Sequence, residues 1–391
     1  MANVVVHNET EQANTLADKL PDGKVFAYGK YNESATLRAL LRAFGRGFSD
    51  TENYMAYLAN VTQLPDKIPN ELLFTFTGQN FTIYAGVNNA NDPSVIQWGD
   101  TNTETVDTLT TELFTNKIDY VYKSSGTYNA KIVSPENLGN LAISYETVNF
   151  DDFKSAWSKL KNIKYIYLAF TTSTNSDISG LTFHSDIITV FLVSNGFTGD
   201  ISGWEFNNNL EVLALSDEGI EGNIASWTFP STMKDIRLTY TGLTGDLSGW
   251  ALPTSLTRIN LTDSSFSGDI SGWTIPTELR DLVIIRTSLS GDVSNLTLGG
   301  SLVLIELHGN NFDYGTGGML TGINVNMSSI NLASNAWTST EVDQALVDMD
   351  SAGLSGTATI SIGGTNAAPS STGLTAKANL ESRGYTVNVT T

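Results

Sequence analysis

Along the middle of the chain, apolar residues recur in triplets spaced L-x-x-L-x-L, with polar residues between them. The triplets are Ile187, Val190, Leu192; Leu210, Leu213, Leu215; Met233, Ile236, Leu238; Leu256, Ile259, Leu261; Leu279, Leu282, Ile284; and Leu302, Ile305, Leu307. Period-two spacing in so short a segment predicts a strand with one buried face. Weaker copies begin at Ile163 and Met327, so about eight stacked units are expected. A second motif alternates with the first: Gly-Asp-Ile-Ser-Gly-Trp at 199–204 returns from Gly222 to Trp227, Gly245 to Trp250 and Gly268 to Trp273. Looser copies run from Ser176 to Leu181 and from Gly291 to Leu296, so that all six starts lie 23 residues apart. A fixed interval without a slip marks a repeat array. One strand per unit, stacked about 4.8 Å from its neighbours, predicts a parallel sheet.

Residues between the apolar positions face the opposite way. One outward column reads Tyr165, Thr189, Val212, Asp235, Arg258, Asp281, Leu304, Ser329, and its neighbour reads Tyr167, Phe191, Ala214, Arg237, Asn260, Val283, Glu306, Asn331. The alignment predicts an ion ladder of Asp235, Arg258 and Asp281, and an aromatic patch of Tyr165, Tyr167 and Phe191. Two readings stay open: a solvated sheet whose charges offset each other, or a surface that a glycan or protein receptor uses. On the second reading the ligand-binding candidates are Tyr165, Tyr167, Phe191, Asp235, Arg237, Arg258 and Asp281.

The repeated motif holds two further columns. Trp204, Trp227, Trp250 and Trp273 would bind sugar rings if exposed, but burial is preferred, because a large aromatic fills the turn volume once per unit. Asp177, Asp200, Asp246, Asp269 and Asp292, interrupted by Asn223, would repel one another at about one strand spacing unless compensated. Backbone amides of the turn are the economical donors, and bound calcium is the minority reading.

The flanking segments read differently. Residues 1–32 are polar and turn-rich, bending at Leu20-Pro21-Asp22-Gly23. Ser34 caps a predicted helix with Leu37, Leu40, Leu41, Phe44, Phe48, Tyr54 and Leu58 on one stripe. That stripe packs within its own domain or against copies of itself or a neighbouring subunit. After Pro65 and Pro69, short strands at 72–76, 81–87, 94–98, 120–122 and 127–132 predict a small antiparallel sandwich. Asn88, Asn89, Asn91, Asp92 and Asp100 suit either local turn bonds or, less favoured, a calcium ion. A short helix over 151–160 should cover the first repeat strand. At the far end, a helix at 338–349, a strand at 357–362, a helix at 374–382 and a strand at 385–389 suit two more parallel strands closing the array. The expected divisions are 1–65, 66–147, 148–335 and 336–391. The fold class is multidomain: a helical N-terminal region, an antiparallel β-sandwich, and a β-solenoid with a parallel sheet and an α/β C-terminal cap.

Charge and composition narrow the function. A formal net charge of −20 over 391 residues opposes binding to a phosphate backbone or an anionic membrane. The absence of cysteine removes disulfides and thiolate metal sites. His7, His184 and His308 are scattered, and no phosphate-cradling loop or nucleophile elbow occurs. The chain therefore reads as non-enzymatic and cofactor-free. No basic start with an apolar run marks a secretory signal, and no apolar stretch is long enough to span a membrane. The expectation is either a trimmed precursor or a protein placed by assembly.

The triplets and the turns after them, such as Asn195-Gly-Phe197-Thr-Gly199-Asp-Ile201, resemble the leucine-rich-repeat family, in a variant with a second short strand on the convex side. That family's buried Asn is kept at Asn195 and Asn310 but replaced by Glu218, Thr241, Ser264 and Thr287, which implies an incomplete or hydroxyl-based ladder. Trp98-Gly99-Asp100 with Gly126-Thr-Tyr128 resembles the polycystic-kidney-disease-type immunoglobulin-like domain, which implies a spacer closed by pairing of the Gly-Asp turn with the Gly-Thr-Tyr strand. The segments from Leu20, Leu37 and Thr51 are similar to N-terminal attachment regions of some bacteriophage tail and baseplate proteins. Residues 363–387 resemble the terminal segment of many phage and bacterial surface proteins. Together these resemblances imply a virion structural protein, a tail fibre or receptor-binding component, or alternatively a bacterial surface adhesin. The implied partners are other tail or baseplate proteins, further copies of the chain, and a host surface glycan or protein.

Overall fold

The computed structural model describes residues 4–6, 26–28, 71–110, 112, 114, 116–144, 148–149, 157–169, 176–324, 326–353 and 355–391. The helix expected from Ser34, with Leu37, Leu40, Leu41, Phe44 and Phe48, lies outside them. Strands dominate, helices are few, and the chain divides into two units, Met1–Ser176 and Asp177–Thr391.

In the N-terminal unit, β1 (Val4–Val6) pairs in parallel with β2 (Phe26–Tyr28). A separate sheet is built from β3 (Glu71–Val87), β4 (Ser94–Gln97), β5 (Thr103–Val106), β6 (Lys117–Val133), β7 (Leu138–Ser144), β8 (Val148–Asn149) and β9 (Tyr165–Ala169). β3 lies between β6 and β7 and pairs with both antiparallel, and it also takes β8. β4 joins β6 to β5. The short strands expected at 72–76 and 81–87, and at 120–122 and 127–132, are instead two strands of 17 residues each. The polar residues Thr77 to Asn80, which read as a turn, are absorbed as a register shift between Gly78 and Asn80, because a bulge accommodates an irregular residue without ending a strand.

The core of this sheet gathers Leu72, Phe81, Ile83, Ile96, Trp98, Tyr122 and Ile132, each no more than 1% exposed. Trp98 stacks on Tyr120 at 4.5 Å, and the Tyr122 hydroxyl donates to the Trp98 carbonyl at 2.8 Å. Gly99 has φ +81°, and a Cβ there would sit 2.4 Å from the Asn129 carbonyl, so only glycine lets this turn lie against β6. β9, expected to open the repeat array, pairs in parallel with β7 in this unit. Of the covering helix expected over 151–160, residues 157–160 are described, of which 157–159 are helical, with Trp157 and Leu160 buried.

The C-terminal unit is a parallel stack compatible with a β-solenoid. Its long sheet runs through Thr189–Val193, Val212–Ser216, Asp235–Thr239, Arg258–Thr262, Asp281–Ile285, Leu304–Glu306 and Ser329–Asn331. Pairing matches the repeat interval, since Val212 faces Asp235, Asp235 faces Arg258 and Arg258 faces Asp281. A second parallel sheet holds Phe197–Asp200, Ile220–Asn223, Gly242–Asp246, Ser265–Asp269, Ser288–Asp292 and Asn311–Asp313. The apolar triplets point inward between the two sheets, where they meet Phe197, Ile220, Leu243, Phe266, Leu289 and Phe312, all essentially unexposed.

The array continues past the repeats. α1 (Ser339–Ser351) starts at a capping box in which Thr338 and Glu341 bond each other's backbone amides, and it buries Val342, Leu346 and Met349. α2 (Ser371–Ser382) begins three residues before the sequence-based start at Leu374, because Ser370 caps its Thr372 amide and Asp343 accepts from Gly373. Strands Thr359–Ser361 and Thr386–Asn388 extend the long sheet in parallel.

A polar column runs through the stack. Asn310 donates to the carbonyls of Ile284 and Leu307 and accepts from Thr287 N and Oγ1. Thr241 and Ser264 bond each other through their hydroxyls at 3.0 Å. Asn335 and Asn366, which the fixed interval did not pick out, prolong the column by donating to Leu307, Leu332 and Ile362 carbonyls. Glu218 does not join it. It is exposed, and Asp217 instead accepts the amides of Asn195 and Gly196 at 3.0 and 2.9 Å. The amide bonds offset the cost of partly burying the Asp217 carboxylate, although burial still pushes its pKa up.

Candidate functional site

The outward face of the long sheet brings several of the candidate residues together. Arg237 makes two-pronged contact with Asp235, 3.0 Å from Nε and 2.5 Å from Nη2. Arg258 reaches sideways in both directions, to Asp235 at 3.1 Å and to Asp281 at 2.6 Å. The register alone sets this bridge, because residues facing across adjacent strands lie within side-chain reach. Burial opposes the charge on Arg258, but the carboxylates of Asp281 and Asp235 outweigh it and raise its pKa. The guanidinium of Arg237 also sits 5.7 Å from the centre of the Phe191 ring, a cation–π distance. A continuous strip thus runs from Phe191 through Arg237, Asp235 and Arg258 to Asp281. Arg258→Ala would leave Asp281 without its cation and Asp235, 8% exposed, with Arg237 alone. The expected loss is about 1–2 kcal/mol, between the exposed-pair and buried-pair limits, and a urea titration of both proteins checks it.

Tyr165 and Tyr167 lie on β9 in the N-terminal unit, and Phe191 lies on the strand Thr189–Val193 of the C-terminal unit. Tyr167 packs edge-on against Phe114 at 5.1 Å, and Phe114 packs on Tyr84 at 5.2 Å. Tyr84, Ala142 and Tyr167 share one row of the sheet, and Phe114 is 47% exposed. Phe114 was not legible as a partner because it comes from a connection and not from a repeat.

The indole column is interior. Trp204, Trp227, Trp250 and Trp273 are 4–5% exposed, and Trp204 stacks on Trp227 and Trp250 on Trp273 with ring planes within 7°. Three of the four donate Nε1 to a carbonyl 26 residues earlier, on Ile178, Ile224 and Leu247. The Nε1 of Trp227 has no hydrogen-bond partner.

The acidic column is bonded within its own turns. Asp177, Asp200, Asp246, Asp269 and Asp292 each accept the amide two residues on, at 2.8–3.0 Å, and Asn223 accepts that of Ala225 in the same way. Bonds from Ser202, Ser248 and Ser271 hold Asp200, Asp246 and Asp269 below the usual carboxylate range. In Asp292 burial works against ionisation, and bonds from Ser294 and Gly315 outweigh it. A carboxyl whose folded-state pKa is depressed contributes stability above its unfolded value, about 3.9, and loses it as pH falls through the folded value. The urea midpoint should therefore stay level from about pH 7 to 5 and drop below about pH 4. Asp217, shifted the other way, offsets part of the drop. Replacing Asp200, Asp246 and Asp269 together by Asn, the residue already at 223, should keep the turns and flatten the acid limb of the curve.

The asparagine-rich loop is likewise engaged locally. Asn89 donates to Asp92 and accepts the Asn91 amide, Asn88 donates to the Leu138 and Asn162 carbonyls, and Asp100 accepts the Tyr120 hydroxyl. Burial, with the Asp100 bond, pushes Tyr120 up to about 12. Among the described residues, no three His, Cys, Asp or Glu side chains gather where they could hold a metal ion, and no helix is long and apolar enough to cross a membrane.

A rim of the face that the sequence reading missed is formed by Tyr240, Asp263 and Arg286. All three are left-handed, with φ 53°, 52° and 50°. Arg286 contacts Asp263 through both Nε and Nη2, and Tyr240 is 53% exposed. Their spacing of 23 was available in the sequence, but only the turn geometry turns them to one side. No protein-family model matches this chain, and no curated protein matches it, so the surface must be interpreted from its own chemistry.

Proposed function

We infer that the chain is a non-enzymatic recognition protein of a virion: a tail-fibre or receptor-binding component built on repeats of leucine-rich type. On this reading its N-terminal region docks on other tail or baseplate proteins, in several copies, residues 66–147 act as a polycystic-kidney-disease-type spacer, and the outward sheet face meets a glycan or protein of the host surface. One observation carries the reading. The residues that recur every 23 positions are consumed by packing and turn bonds, whereas those on the outward face change from repeat to repeat. A constant backbone with one variable face suits recognition, since binding specificity lives in the side chains presented and not in the fold.

The test is adsorption of the labelled full-length chain to a panel of bacterial cells, with Tyr165→Ala/Tyr167→Ala/Phe191→Ala as the variant. Saturable adsorption to some strains, weakened about tenfold in the variant, is expected. Unchanged adsorption removes these aromatics from the site, and no adsorption to any strain overturns the reading. An antibody to the chain should label tail ends of particles; labelling of the envelope of uninfected cells instead would replace the virion assignment with a bacterial adhesin.

A further inference from the structure

The cations of the C-terminal unit are not spread evenly. Residues 177–391 contain Lys234, Arg237, Arg258, Arg280, Arg286, Lys377 and Arg383 as their Lys and Arg. The first five fall on three consecutive repeats, on or beside the strands Asp235–Thr239, Arg258–Thr262 and Asp281–Ile285. Lys234 and Arg280 stand one residue before their strands, with Thr257 between them, and backbone bonds of 2.8 Å tie the three into a row. Arg237 and Arg258 lie on the face, and Arg286 stands on the opposite rim. The carboxylates interleaved with them are already held: Asp235 by Arg237 and Arg258, Asp281 by Arg258, Asp263 by Arg286. Lys234 pairs with Glu211 at 2.9 Å, with half its side chain exposed. Arg280 is exposed and makes no ion pair among the described residues.

Resting on the recognition reading above, we propose that this three-repeat island is the docking site for a carboxylate-bearing glycan, an acidic polysaccharide of uronic- or sialic-acid type. An acidic chain repels such a polymer elsewhere on its surface; here Asp235, Asp263 and Asp281 are neutralised by arginines, and the exposed Arg280, two residues from the exposed Glu278, is the guanidinium without an ion pair among the described residues that can attract it. Arginine suits planar oxyanions, and Arg280 can offer a uronate the two-nitrogen edge with which Arg237 and Arg286 already hold Asp235 and Asp263. The face between the cations offers the half-buried Thr239 and Asn260 for hydroxyl groups, and exposed Tyr240 offers a ring face. A peptide would look for apolar anchors, and in residues 177–391 the exposed large apolar side chains are Tyr240 and Leu374 alone among those described.

Titration of the full-length chain with polygalacturonate oligosaccharide, with dextran and poly-glutamate as comparisons, tests the proposal. Polygalacturonate should bind, more weakly at about 0.5 M salt than at low salt, while dextran does not bind and poly-glutamate binds at least about tenfold less tightly. Lys234→Ala/Arg280→Ala should lower polygalacturonate affinity about five- to tenfold with the melting curve unchanged, and Arg280→Lys should retain part of it. No binding, equal binding of poly-glutamate, or a double variant with unaltered affinity overturns the proposal. Its failure is separable from that of the recognition reading. Adsorption to cells that soluble polygalacturonate does not compete away leaves recognition standing and removes the acidic glycan. Polygalacturonate binding without adsorption to any cell does the reverse.

Discussion

Gly268→Ala is expected to lower the unfolding free energy by about 2–4 kcal/mol, while Gly272→Ala, four residues on in the same motif, changes it by less than about 1 kcal/mol. Both glycines belong to one copy of Gly-Asp-Ile-Ser-Gly-Trp. Gly268 has φ +114°, and a Cβ there would lie 2.3 Å from Asp246 Oδ1 and 2.9 Å from the Ser248 amide. Alanine would meet both backbone strain and the carboxylate that caps the previous turn. Gly272 has nothing within 4 Å of its Cβ position. Urea titrations of the two variants make the comparison. If they fall equally, the acidic column is not what excludes a side chain at 268. Adding Asp246→Ala to Gly268→Ala should recover part of the loss, because only the steric component involves Asp246. Gly199, Gly222 and Gly291 meet the same obstacle, at 2.3, 2.5 and 2.1 Å from the acid one repeat earlier.

Trp250→Ala is expected to cost about 3–5 kcal/mol, the range for removing a buried large aromatic. Trp250 is 5% exposed, stacks on Trp273 at 6.5 Å, meets Phe229 edge-on at 5.0 Å and donates to the Ile224 carbonyl. In a stacked array each unit leans mainly on its neighbours, so hydrogen exchange should accelerate most between residues 222 and 273. Trp250→Phe should lose less, keeping the ring but not the indole bond. A variant that keeps its stability and loses glycan binding would make the indole column a ligand platform and refute the packing assignment.

The legible part of this protein was periodic. A period of two inside each triplet gives the side-chain alternation of a strand, and a period of 23 gives the neighbour across the sheet, so facing pairs such as Asp235 with Arg258 follow from counting. The less legible parts depend on contacts that no period encodes. Thr77 to Asn80 had turn composition, yet pairing with β6 carries the strand through them. Glu218 stood at the column position by count, but its side chain lies in solvent and the shorter Asp217 accepts the amides. Tyr167 follows from the count as an outward residue, but its contact Phe114 comes from a connection and carries no period.

By itself the sequence determined the stacking interval, which residues point into the core and which face outward, because both follow from strand geometry repeated at constant length. Only the tertiary structure decided that Asp217 takes the amides in place of Glu218, that Phe114 packs on Tyr167, and that Tyr240, Asp263 and Arg286 meet on one rim. Those outcomes depend on where side-chain ends fall to within a hydrogen-bond length, and that precision comes from the turns and the packing around them, not from the spacing of residues along the chain.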